Sequence, residues 1–254
     1  MKRNIVDRLN IEIHPDRKAM GAAAASAAAR AVTSAIEARG AARIIVASAP
    51  SQDELLFGLT SAPGIDWSRV TVFHMDEYVG LPAEHPATFR AYQKIHMLSR
   101  VQPSAFHGIL GEVADPEIEC ARYSALLAEA PIDLVCMGIG ENGHIAFNDP
   151  PVADFDDPLR VKVVELDSAC RQQQVNDACF SDFASVPRRA ITLTCPMLMS
   201  GRAIVCVVPG PRKADAIAVA LGIEISTASP ASILRRHPDA RLYLDQDSAG
   251  RLSI

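Results

Sequence analysis

The sequence predicts a doubly wound α/β fold, a mostly parallel sheet with helices on both faces, and three observations lead there. Short apolar runs of strand length, at 43–48, 70–75, 132–137 and 202–208, alternate with segments of helical pattern. The run Ile132-Asp133-Leu134-Val135-Cys136-Met137 is apolar nearly throughout, as a strand covered on both faces must be. Polar or glycine-rich turns follow the carboxyl ends of these strands, where open α/β sheets hold ligands. No linker, low-complexity tract or internal repeat interrupts the chain, so residues 1–254 are read as a single domain.

The elements follow in order. Residues 16–39 are alanine-rich and Gly40 stands where a helix terminator belongs, which predicts a long helix. A strand is expected at 43–48. Ser51-Gln52-Asp53-Glu54 matches a capping box and opens a helix to about Ser61. The strand at 70–75 delivers Asp76-Glu77-Tyr78, a loop with Gly80, Pro82 and Pro86 follows, and residues 87–98 form a helix. A short strand at 105–110 precedes a helix that Asp115-Pro116 starts and that ends near Ala130. After the strand at 132–137 comes the loop Gly138 to Asp149, then an irregular stretch from Pro150 to Pro158. A strand at 161–165, a polar segment at 168–179, a helix around 190–200, a strand at 202–208, helices at 211–221 and 230–236 and a last strand at 241–244 complete the chain.

Composition narrows the function classes. Hydrophobic residues make up 49% and charged residues 22%, the balance of a globular chain. A net charge of −5 offers no basic face for nucleic acid. No window reaches the roughly 20 apolar residues of a membrane span, and Met1 to Arg8 lacks the apolar core of a secretory signal. Six cysteines without CxxC spacing read as reduced thiols of a cytoplasmic protein.

Four polar turns would converge on one sheet edge: Ser48 to Gln52, Asp76 to Tyr78, Gly138 to Asp149, and Pro209 to Lys213. A carboxylate such as Asp76, partly enclosed at a strand end, has a pKa raised towards the range that moves protons at carbon, although Asp76 or Glu77 equally suits a helix cap or a pair with Arg90. His144 can pass protons near neutral pH, with Asn142 and Asp149 placed to hold its tautomer, or all three simply shape a turn. Lys213, in the first turn of a helix, suits a phosphate, and Ser48, Ser51 and Gln52 could donate to the same anion, although Asp53 and Glu54 already satisfy that helix end. No zinc-type or EF-loop spacing is present. The glycines 138, 140 and 143 match G-x-G-x-x-G, but Asp149-Pro150-Pro151 stops any helix, which argues against a dinucleotide fingerprint.

Two stretches carry a family resemblance: Phe73-His74-Met75-Asp76-Glu77-Tyr78-Val79-Gly80-Leu81 with His85-Pro86, and Gly138-Ile139-Gly140-Glu141-Asn142-Gly143-His144-Ile145-Ala146-Phe147-Asn148-Asp149-Pro150. They resemble the two signatures of glucosamine-6-phosphate deaminases. The resemblance implies a modified Rossmann-like fold shared with 6-phosphogluconolactonases, no metal, no organic cofactor, a sugar-phosphate substrate and a homo-oligomer. Carried over, Asp76 would shuttle a proton between C2 and C1 through an enolamine, and His144 would assist ring opening. Asn142 and Asp149 would orient His144, Lys213 would hold the phosphate, and Ser48, Ser51, Gln52 and Gly140 would line the sugar-phosphate site.

Some positions depart from the family pattern. The first loop, Ser48-Ala49-Pro50-Ser51-Gln52, lacks the usual glycine and threonine, and Asn142 and Asp149 stand where relatives often have Asp and Glu. A neutral Asn stabilises an imidazolium less than a carboxylate does. The phosphate-binding arginine of well-known members has no clear equivalent, and Arg171 is the substitute candidate. Arg160 and Lys162 resemble part of an allosteric phosphate site whose serine is missing. Two other readings remain: 6-phosphogluconolactonase, whose members usually carry Asp-Glu-Arg at 76–78, and a non-catalytic sugar-phosphate-binding regulator.

Overall fold

A computed structural model of the chain describes residues 1–252. The first element was not anticipated. Strands β1 (Lys2–Val6) and β2 (Leu9–His14) form an antiparallel hairpin in which Val6 pairs with Leu9, and Asp7 takes the left-handed conformation at φ 51° that so short a turn demands. The alanine-rich segment is helix α1 (Arg17–Arg39), capped by Asp16, which accepts from Ala19 N at 2.7 Å, and terminated by Gly40.

Strand β3 (Ala42–Val46) follows, then a 3₁₀ turn at Pro50–Gln52 and helix α2 (Asp53–Thr60). The expected capping box does not form. Among the described residues no side chain caps α2, and Glu54 instead accepts from Arg17 Nε at 2.7 Å, a charged partner that outcompetes a backbone N–H. Strand β4 (Val70–His74) and strand β5 (Asp76–Tyr78) are separated only by Met75. Helix α3 (Phe89–Gln93) runs on into a π-helical turn at Lys94–Leu98, and β6 (Ala105–His107) and α4 (Pro116–Ala128) match their expected places. Strand β7 (Leu134–Met137) leads into the long loop.

Strand β8 (Val161–Glu165) is as expected, and the polar segment is helix α5 (Ser168–Asn176). The helix expected around 190–200 is corrected: Arg189–Leu193 is strand β9, and only Cys195–Met199 is helical, as α6. Cross-strand pairing on both sides of β9 decides the matter, with Ile191 opposite Glu77 on one side and Val163 on the other. Strand β10 (Ala203–Val208), a 3₁₀ turn at Pro211–Lys213, helix α7 (Ala214–Gly222), a 3₁₀ stretch at Pro230–Arg236 and strand β11 (Ala240–Asp245) finish the fold.

Eight strands form the main sheet in the order β1-β2-β11-β10-β7-β3-β4-β6, parallel apart from the β1–β2 hairpin. Alternation along each strand feeds two cores. Ile45, Val135 and Met137 pack with α4, α6 and α7 on one face, while Ile44, Val46, Leu134 and Cys136 pack against α1 and α2 on the other. The short strands β5, β9 and β8 form a second, antiparallel sheet beside an apolar cluster of Tyr78, Phe89, Phe147, Val164 and Phe180.

Where β4 leaves the main sheet, its last peptide groups are satisfied by α4. The fully buried Tyr123 hydroxyl accepts from His74 N at 3.1 Å and is 2.8 Å from His74 O and 3.0 Å from His107 O. Removing it leaves a buried N–H and carbonyls without partners. Tyr123→Phe is therefore expected to lower unfolding free energy by about 1–3 kcal/mol in urea denaturation, through loss of that hydroxyl alone.

Candidate active site

The carboxyl ends of β3, β4, β7 and β10 open on one cavity of about 390 Å³. Ser48, Ser51, Gln52, Asp76, Gly140, His144 and Lys213, all expected from the sequence, line it. Asn142 and Asp149 stand behind His144 and contact it.

Asp76 reaches the cavity because β4 continues straight into β5 after Met75. Met75, Phe89, Ala146 and Phe147 line the same cavity, and among the described residues the carboxylate receives no hydrogen bond. Burial, and then the neighbouring Glu77 charge, push its pKa well above the usual carboxylate range. Glu77 points to the other side of the strand and has a different fate. It caps α3, accepting from Phe89 N and Arg90 N at 3.0 Å each, and lies 3.7 Å from Arg90 Nε. Burial raises the Glu77 pKa to about 7 against the pull of these partners. The cap and the Arg90 pair that the sequence allowed for either acid thus belong to Glu77, which leaves Asp76 free.

His144 is held by its own loop. Asn142 Oδ1 lies 2.7 Å and Asp149 Oδ1 3.0 Å from Nδ1. Asn142 Nδ2 donates to Asp149 Oδ1 at 2.9 Å, which fixes the amide so that its oxygen faces the ring. Both atoms before Nδ1 are acceptors, so Nδ1 carries the proton and Nε2 keeps its lone pair. Burial works to raise the Asp149 pKa, but hydrogen bonds and charge from His144, helped by Asn142 and Asp167 N, lower it overall. The loop is tight. A Cβ on Gly140 would lie 2.1 Å from His144 Cε1, Gly143 has φ 83°, and Ala146 is strained at φ 47°.

The cavity lining also carries the cations Arg17, Arg212 and Lys213. Lys213 is 7% exposed, and burial lowers its pKa while Asp177 and Glu141 work in the opposite direction. Ser48 Oγ accepts from Gln93 Nε2 at 2.9 Å, which leaves its hydroxyl proton for a ligand. Arg171 is not there. Its guanidinium donates to Phe183 O at 2.7 Å and Val186 O at 2.8 Å and stacks on the Phe183 ring, outside the cavity lining. Arg212 and Arg17 line the cavity in its place. Arg212 pairs with Asp177 at 2.5 Å and Glu141 at 3.4 Å. Arg212 had a legible signal as the neighbour of Lys213 in the same turn, whereas Arg17, from the start of α1, had none. Lys162 is committed to Asp157 at 2.8 Å and to Val152 O at 2.7 Å. No helix of the described residues is long and apolar enough to cross a membrane.

A family model for glucosamine-6-phosphate isomerases and 6-phosphogluconolactonase matches residues 15–243. A glucosamine-6-phosphate deaminase of Exiguobacterium sibiricum is 36% identical over 189 residues, 74% of this chain and 73% of that protein. One from Bacillus cytotoxicus is 38% identical over 184 residues, 72% and 68% of the two chains. Among solved structures, a monomeric glucosamine-6-phosphate deaminase superposes with a TM-score of 0.86 at 27% identity, covering 95% of this chain and 99% of that one. A 6-phosphogluconolactonase from Shewanella baltica reaches 0.75 at 19% identity, over 95% and 99% of the two chains, a likeness of fold. With that match and both motif-bearing loops meeting at one cavity, the chain belongs to the glucosamine-6-phosphate isomerase/6-phosphogluconolactonase family.

Proposed function

We propose that the protein is a glucosamine-6-phosphate deaminase, which converts an amino-sugar 6-phosphate and water to fructose 6-phosphate and ammonia. The convergence on one cavity of a buried carboxylate without a partner among the described residues, an imidazole whose Nε2 keeps its lone pair, and the Lys213 ammonium carries this reading. Lys213, with Arg212, takes the phosphate and so fixes the sugar's long axis. His144 Nε2 accepts the proton of the anomeric hydroxyl and returns it to the ring oxygen as the C1–O bond to that oxygen breaks, leaving the open-chain aldehyde. The Nδ1–H then stabilises the transient imidazolium against Asp149.

Asp76 next takes the C2 proton while the substrate's ammonium group gives one to O1, which yields an enolamine, and Asp76 then delivers the C2 proton to C1. Water adds to the C2 iminium that results, and ammonia leaves to give the ketose. A carboxylate poorly solvated by its apolar wall is a stronger base than one in water, which suits abstraction from carbon. Tyr78 is buried with its hydroxyl 2.7 Å from Gln174 Oε1, so the residue two places after Asp76 presents no charge to the substrate. That favours deamination over the lactonase reading.

Four outcomes test the proposal. Asp76→Asn is expected to lower ammonia release from glucosamine 6-phosphate by about 10³-fold or more while substrate still binds, measured by coupled ammonia assay and calorimetry. Hydrolysis of 6-phosphogluconolactone without ammonia from any hexosamine 6-phosphate would replace the proposal by the lactonase. The pH profile has a definite sign: Asp76 works as the carboxylate, so kcat/KM falls as pH drops through its elevated pKa, and the acid limb lies above the roughly 4 of a free aspartate. A limb at or below that value contradicts Asp76 as the base. Gly140→Ala places a methyl inside the His144 ring, and kcat is expected to drop about 10²-fold with the stability midpoint nearly unchanged, because the imidazole and not the core must move.

A further inference from the structure

The proton-handling pair has a third, unused neighbour. One donor atom each from His144, Asp149 and Cys170 lie within 4.8 Å of one another. All three residues are buried, at 8%, 1% and 1% exposure. Cys170 comes from the first turn of α5 and takes no part in the chemistry above. Nitrogen, oxygen and sulfur donors in so small a volume are the set that borderline-soft divalent cations select over Mg²⁺ or Ca²⁺.

We propose that His144, Asp149 and Cys170 form an inhibitory site for a Zn²⁺-type cation, which captures the imidazole and switches the enzyme off. The regulatory consequence rests on the deaminase reading; the site itself does not. A neutral imidazole, a carboxylate and a thiolate together carry two negative charges, so a divalent ion leaves the buried cluster neutral. The neutral Asn142 keeps that balance, where an aspartate would add a further charge.

Binding requires defined proton movements. The Cys170 thiol proton leaves for solvent, and the Nδ1 proton of His144 moves to Nε2 so that the Nδ1 lone pair takes the metal. Nε2 then carries hydrogen and no longer accepts one from the substrate. Without a metal, burial first, and then the nearby Asp149 and Asp76 charges, hold the thiol well above the usual cysteine range, so Cys170 stays protonated and inert.

The test titrates the full-length protein with Co²⁺ and then Zn²⁺, without substrate. One equivalent of Co²⁺ is expected to give a thiolate-to-metal charge-transfer absorption that Zn²⁺ abolishes by displacement. Cys170→Ser, or Cys170→Ala should the serine variant fail to fold, is expected to lose that absorption and to bind Zn²⁺ at least about tenfold more weakly. The same variant should release ammonia normally and continue to do so at Zn²⁺ concentrations that silence the unmodified protein. Absence of the absorption, its survival in the Cys170 variant, or equal Zn²⁺ inhibition of both proteins would overturn the site. Because the absorption is read without turnover, failure of the metal site and failure of the deaminase reading are separate results.

Discussion

The site depends on how one strand leaves a sheet. Strand β4 runs parallel to β3 and β6 as far as Phe73 and His74, and two residues later its chain pairs antiparallel with β9. A backbone that changes sheets leaves peptide groups without ladder partners, and in a buried position each must find another. Tyr123 supplies them, and His74 completes the seam by accepting from Ile109 N at 2.8 Å through Nε2. Burial and the Arg90 charge push the His74 pKa down to about 3, so the ring is neutral and serves structure alone. Asp76 is the first residue beyond this seam, and its position is as rigid as the seam is.

Two adjacent acids, 76 and 77, then diverge because a strand sends successive side chains to opposite sides. Glu77 meets a helix N-terminus, three backbone N–H groups and an arginine, which together make a buried carboxylate tolerable. Asp76 meets apolar side chains and the cavity. Desolvation that would be a defect in a structural residue is here a source of basicity. The Glu77 charge, held close by its own partners, adds to it. The histidine loop shows a similar economy: strain at Ala146, the left-handed Gly143 and the bare Gly140 let a short turn fold back until Asn142 and Asp149 both meet one ring nitrogen.

Much of this was legible beforehand. The parallel strands announced themselves by apolar runs, the helices α1 and α4 by their caps, and the catalytic candidates by their place just after strands. Asp76, His144 and Lys213, which resemblance assigned to one sugar-phosphate site, do line one cavity. Local patterns were weaker where partners came from far away. The capping box at Ser51 lost Glu54 to an arginine 37 residues earlier, the segment at 189–193 became a strand because β5 and β8 flank it, and the β1–β2 hairpin gains its place by pairing with the last strand.

The sequence by itself determined the alternation of strands and helices, and with it the edge where ligand chemistry collects, because hydrophobic period and turn residues act within a few positions of each other. It also determined which residue types stand at that edge. Only the tertiary structure decided which acid is free and which is compensated, since that turns on a helix N-terminus and an arginine brought in by α3. It likewise sent Arg171 away to the carbonyls of Phe183 and Val186 and brought Arg17 and Arg212 in. Charge and burial act through space, so a cation's role is set by what folds against it and not by its neighbours in the chain.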